Sequence, residues 1–127
     1  MPETFPGSAF DQIVVNAADP PRLARFWGAL LGAGPVDRAD GWSHLPAAHG
    51  RPRISFQPDP APASGPVRLH LDVRTADLPA AAAAAARLGA SAEGPPVTDE
   101  QGSFQVMRDP EGNVFCLTAP AERAGSG

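Results

Sequence analysis

Two stretches of this sequence repeat one pattern, and the repeat limits what the chain can become. Gln12-Ile13-Val14-Val15 leads to Asp19, a helical stretch and Leu31-Gly32-Ala33; His70-Leu71-Asp72-Val73 leads to Asp77, a helical stretch and Leu88-Gly89-Ala90. The offsets nearly agree: 70−12 and 77−19 both give 58, and 88−31 gives 57. A fixed period of that size implies two copies of one supersecondary unit, each too small to bury its own apolar face, so the two must share a core. A ligand site is therefore expected between the copies.

Each copy reads as β-α-β-β-β. In the first, residues 10–17 alternate as a strand, with Ile13, Val15 and Ala17 on one face and Gln12, Val14 and Asn16 on the other. Asp19 offers a helix N-cap, and Pro20-Pro21 suit the first turn, where a missing N–H costs little. Leu23, Phe26, Trp27, Leu30 and Leu31 then form an apolar stripe that Gly32 ends. Short strands are expected at 35–39, 41–46 and 51–57, with an Asp40-Gly41 hairpin between the first two.

Residues 58–66 are too proline-rich for a sheet interior and read as a linker. The second copy follows with a strand over 67–74, a helix over about 77–88 and strands near 91–98, 102–108 and 113–119. Its alanine run, 80–86, has high helix propensity and little bulk, so the helix should lie close to its sheet. Asp109-Pro110-Glu111-Gly112 is a strong turn signal. The expected organisation is one α+β domain over 9–119, comprising module 1 (9–57), the linker (58–66) and module 2 (67–119), with flexible termini at 1–8 and 120–127. The strands are expected to form a curved mixed sheet around a central cleft.

Strand parity proposes the cleft lining. Over 67–74, Val67, Leu69, Leu71 and Val73 point one way, and Arg68, His70, Asp72 and Arg74 the other. Ile54, Phe56, Phe115 and Leu117 would pack on helices, leaving Ser55, Gln57 and Cys116 opposite. The candidate lining is thus Gln12, Asn16, Ser55, Gln57, Arg68, His70, Asp72 and Cys116, with Trp42 as a further wall or a dimer contact. An antiparallel sheet can also expose such a face to solvent, but Val14, Val114 and Cys116 beside charged groups resemble the mixed lining of a ligand site.

Several side chains carry alternative roles. His70 and Asp72 could act as an acid–base pair, or Asp72 could form an ion pair with Arg68 or Arg74. Cys116, between Phe115 and Leu117, reads as a small buried hydrophobe. Trp27 is expected in the core, and His44 and His49, in or beside a hairpin, at the surface. No nucleophile–His–acid spacing is recognisable.

Composition narrows the partners. A net charge of −4 offers no basic stripe for nucleic acid or an anionic membrane. The longest apolar run, Pro79 to Ala86, is far short of the ~20 residues that span a bilayer. The single cysteine cannot form an internal disulfide, which suits a reducing cytoplasm. All ten basic residues are Arg, and Ala, Gly and Pro abound, a usage that fits a GC-rich bacterial genome.

The paired β-α-β-β-β plan, Asp19-Pro20-Pro21-Arg22-Leu23-Ala24-Arg25-Phe26-Trp27, His70-Leu71-Asp72-Val73 and above all Asp109-Pro110-Glu111-Gly112-Asn113 together resemble the glyoxalase, bleomycin-resistance and extradiol dioxygenase superfamily. The resemblance covers about 9–119 and points to its glyoxalase-like subgroup. It implies a small-molecule partner and modules paired within a chain or between two chains, so a homodimer is expected. Metal-dependent members place His or Gln, a carboxylate, His and Glu on four cleft strands. The corresponding positions here are Gln12, Ser55 or Gln57, His70 and Cys116, so both carboxylates are replaced. A divalent ion, if bound, would use Gln12, His70 and Cys116; no cofactor is the expectation, because this set lacks anionic oxygen. The expected function is metal-independent binding of a metabolite or drug-like ligand. The alternatives are a divergent enzyme, metal-dependent or using His70 and Asp72, and an interaction module with exposed polar faces.

Overall fold

The computed structural model describes residues 10–60, 70–100 and 102–121. Module 1 runs β1 (Gln12–Ala17), α1 (Pro20–Leu31), β2 (Val36–Asp37), β3 (Ser43–Leu45) and β4 (Arg53–Pro58). Module 2 runs β5 (Leu71–Arg74), α2 (Leu78–Arg87), β6 (Ser91–Ala92), β7 (Val97–Asp99), β8 (Gly102–Arg108) and β9 (Val114–Pro120). The architecture is α+β, with two mixed sheets.

The first sheet has the order β1-β4-β3-β2, and the second β5-β9-β8-β6 with β7 also paired to β8. In each, the first strand lies parallel to the last, Val14 beside Ser55 and Asp72 beside Cys116. The repeat in sequence is thus a repeat in register.

Local chemistry explains the element ends. Asp19 Oδ1 accepts from the Arg22 N–H at 3.2 Å, and Asp77 Oδ1 from the Ala80 N–H at 3.0 Å, so both aspartates cap helices as expected. Gly32 ends α1 at φ 70°, in the left-handed region that glycine occupies without steric cost. Gly41, at φ 93°, turns the chain from β2 into β3.

Four boundaries differ from expectation. The strand expected over 91–98 is broken into β6 and β7, because Pro95 and Pro96 have no N–H to donate to the ladder with β8. Module 2 therefore has one strand more than module 1. Pro58, assigned to the linker, ends β4 opposite Ala17, and Pro120, assigned to the terminus, ends β9 opposite Gly102. Both sit at strand ends, where a missing donor costs little. The strand expected over 67–74 is observed from Leu71. Its residues 67–69, linker residues 61–66 and the expected termini at 1–8 and 122–127 lie outside the described residues.

The core lies between helices and sheets. Leu23, Ala24, Phe26 and Trp27 of α1 are buried with Leu45, Ile54 and Phe56, while Leu78 and Ala85 of α2 are buried with Met107, Phe115 and Leu117. A fully buried Phe56 or Phe115 stabilises the fold by about 1.5–3 kcal/mol relative to an exposed one.

The two cores join through aromatic rings. The Phe115 ring lies 4.8 Å from Trp27 and 6.1 Å from Phe26, both edge-on. Polar contacts secure this docking. Glu111, in the turn between β8 and β9, accepts from the Ala18 and Asp19 N–H groups at 2.7 and 2.9 Å.

Candidate functional site

The outer faces of the sheets follow the expected parity. Ile54, Phe56, Phe115 and Leu117 are buried toward the helices, which leaves Ser55 and Cys116 on the opposite faces.

On module 2, three candidate residues come together. His70 Nε2 lies 3.2 Å from Asp72 Oδ1, and the donor atoms of His70, Asp72 and Cys116 all fall within 4.8 Å of one another. The parallel register of β5 and β9 produces this cluster by setting Asp72 beside Cys116. These residues line a cavity of about 730 Å3 together with Arg74, Phe104 and Thr118. Among the described residues, the ion-pair partner of Asp72 is the imidazole of His70.

The face of module 1 is the repeat-related counterpart, but its chemistry differs. Gln12 stands where module 2 has His70, Val14 where it has Asp72, and Ser55 where it has Cys116. The Ser55 hydroxyl donates to Gln12 Oε1 at 2.5 Å, and Ser55 is 1% exposed. Asn16 and Gln57 are register partners farther along the same strands, both exposed. Trp42 is half-buried and lies under the Arg38 guanidinium, whose Cζ is 5.5 Å from the ring centroid. Arg68 lies outside the described residues.

A second cavity, of about 430 Å3, opens between the modules. Ile13, Val14, Trp27 and Ile54 from the first module and Leu71 and Val114 from the second supply its apolar walls, and His70 reaches it as well.

One expectation is overturned. His44, assigned to the surface, is half-buried on the cleft face of β3, opposite Ser55, and its Nδ1 is buried without a hydrogen-bond partner among the described residues. The physical reason is its place in the sheet: pairing of β3 with β4 sets His44 on the cleft face beside Ser55, which is itself buried there. Burial holds the His44 pKa below its ordinary value, and the nearby Arg53 and Arg38 charges push the same way. His49 is exposed, as expected.

Sequence reasoning also missed Phe104 as a wall residue. Its strand inverts the usual pattern: Gln105 is buried toward α2 with its amide donating to the Gly94 and Val106 carbonyls at 2.9 and 3.1 Å, while Phe104 and Val106 face the cleft. No alternation of apolar and polar residues could have marked that strand's inner face.

None of the four positions implied for a metal supplies a carboxylate. The carboxylate beside them is Asp72, whose oxygen lies with the His70 and Cys116 donor atoms in a cluster that could hold an ion. Gln12 Oε1 already accepts the Ser55 hydroxyl, Ser55 is neutral and buried, and neither site supplies a carboxylate. Cys116 could contribute charge only as a thiolate, yet burial and then the Asp72 charge push its pKa up. Asp72 and His70 can instead accept, donate or relay a proton to a bound molecule.

The family model of the glyoxalase-like domain matches residues 12–118. Among solved structures, the fold is similar to a glyoxalase/bleomycin resistance protein/dioxygenase family enzyme from Burkholderia phytofirmans PsJN, with TM-score 0.74 and 17% identity over 87% of this chain and 98% of that one. A glyoxalase/bleomycin resistance protein from Albidiferax ferrireducens T118 gives 0.66 and 22%, over 90% and 100%. Protein ATC0852 from Agrobacterium tumefaciens gives 0.71 and 21%, over 91% and 99%. At such identities the likeness is one of fold. No curated protein matches the sequence significantly.

Proposed function

The chain belongs to the glyoxalase-like domain family, and from that premise we propose that it holds a metabolite or drug-like molecule in the inter-module cleft without a metal ion. One observation carries this reading. A cavity of about 430 Å3 lies between the modules and one of about 730 Å3 lies on the face of module 2, with His70 in the wall of both. Each falls within the range of about 300–1,000 Å3 typical of ligand sites, while the four metal positions supply no carboxylate. Apolar walls beside a small convergent polar cluster are the usual composition of a small-molecule site.

The test is thermal stabilisation of chelator-treated protein by a panel of aromatic metabolites and antibiotics, because a ligand that binds only the folded state raises its apparent stability. At least one compound should raise the Tm of the wild type and fail to do so in His70→Ala. A panel with no stabilising compound, or one effective only after metal is added, contradicts the reading.

The 3.2 Å contact between His70 and Asp72 favours a second reading, metal-free acid–base catalysis on the bound molecule. Chemical conversion of a bound compound that stops in Asp72→Asn, with binding retained, would distinguish an enzyme from a binding protein.

A further inference from the structure

On the helix side of the module junction, away from the cleft, a third cavity of about 310 Å3 opens between α1 and the end of α2. Arg22, Arg25 and Phe26 of module 1 line it with Leu88, Gly89 and Pro110 of module 2, and these residues border neither of the two cavities above. Neighbouring residues divide between the two sides of the junction. Phe26 and Pro110 face this groove, whereas Trp27 and Asp109 border the inter-module cavity.

The groove has an apolar floor and a cationic wall. Leu88 is 41% exposed just beyond α2, and the Phe26 ring, held edge-on by Trp27 and Phe115, closes the base. A bound apolar group would remove this surface from water. The Arg25 guanidinium is already engaged by the Asp37 carboxylate at 2.9 Å. The Arg22 guanidinium has no hydrogen-bond or ion-pair partner among the described residues. No carboxylate lines the groove. Those at the start of α1, Asp19 and Glu111, accept backbone N–H groups there.

We propose that this groove is a second binding site, for a small aryl-alkyl carboxylate whose head pairs with Arg22 and whose ring packs on Phe26, Leu88 and Pro110. Charge selects the head. An ammonium would meet Arg22 with no carboxylate in the lining, and an uncharged head would forgo the ion pair. Size selects the body: a cavity of about 310 Å3 stands at the lower end of the range for ligand sites, which suits a single ring on a short chain. Because both modules supply the lining, the bound acid joins them from the side opposite the cleft. Binding only the docked arrangement, it stabilises the fold.

The experiment is NMR titration of the full, isotope-labelled chain at low salt with 4-phenylbutyrate, 4-phenylbutan-1-ol and 4-phenylbutylamine. The acid should shift the Leu88, Gly89 and Glu111 amides saturably and bind about fivefold more tightly than the alcohol, the scale of an exposed ion pair. The amine should bind more weakly than either. Arg22→Gln, at an exposed position, should bring the acid-to-alcohol ratio to about one, whereas Arg87→Gln, outside the groove, should leave it unchanged. Leu88→Ser should weaken acid and alcohol alike. Equal affinity for acid and alcohol, preference for the amine, acid-induced shifts confined to cleft residues such as Val14 and His70, or no binding by any of the three overturns the assignment.

Discussion

The Trp27 indole N–H donates to Asp109 Oδ2 at 3.0 Å, joining the helix of one module to a turn of the other. Trp27 is 4% exposed and Asp109 4%, so the bond is made away from water, where an unmatched partner is costly. The Asp109 carboxylate also accepts from the Glu111 and Asn113 N–H groups, both at 2.9 Å, and from the Asn113 amide. One carboxylate thus fixes the turn and its docking together. Asp109→Ala should lower stability by about 3 kcal/mol and Trp27→Phe by about 1–2 kcal/mol, measured by urea unfolding. Additive losses in the double variant would show that the two side chains act independently.

Glu111 acts on the same junction from the surface. Its carboxylate receives the Ala18 and Asp19 N–H groups just before α1. Glu111→Ala should destabilise the protein by about 1–2 kcal/mol, read as a lower Tm by calorimetry, while Glu111→Gln should lose less because its amide oxygen still accepts. Equal losses in the two variants would indicate that charge, rather than hydrogen bonding, holds the contact.

The strands, caps and hairpin were legible because each follows from a local rule. Asp19 and Asp77 cap helices, Gly41 turns, and the parity of Ile54/Phe56 and Phe115/Leu117 assigned the faces correctly. The Asp109–Asn113 motif was legible as a turn, but its reach to Trp27 spans 82 residues and depends on module docking. His44 was misassigned for a similar reason: its burial depends on the pairing with β4 that sets it beside the buried Ser55 on the cleft face. Asp72 could have paired with an arginine or with His70, and strand pattern does not decide between partners on one face.

His44 should make stability sensitive to mild acid. Its folded-state pKa lies below the ordinary value of 6.5, so the unfolded chain takes up the proton more readily. The contribution is fully present above pH 6.5 and is lost as pH falls from there towards the folded-state pKa. Urea unfolding at pH 7.5 and 5.5 should show a larger loss for the wild type than for His44→Gln. An equal loss would place the sensitivity elsewhere.

Cys116 should alkylate slowly. Burial, followed by the Asp72 charge, raises its pKa and leaves little thiolate at neutral pH. Iodoacetamide should modify folded protein more slowly than urea-unfolded protein at pH 7.5, and Asp72→Asn should speed the folded reaction. An unchanged or lower rate in that variant would remove Asp72 as a cause.

Metal content bears on the Gln12, Ser55, His70 and Cys116 positions together. Protein purified without chelator should contain well under one equivalent of zinc, nickel, manganese or iron by elemental analysis. A stoichiometric metal lost in His70→Ala would show that the replaced carboxylates are dispensable.

The central claim is that the cleft around His70 binds a small molecule without a metal. Its most direct measurement is calorimetric titration of chelator-treated protein with the most stabilising panel compound. The expected result is one-to-one binding that added zinc leaves unchanged and His70→Ala abolishes. Binding that requires restored metal, or that persists undiminished in His70→Ala, would contradict it.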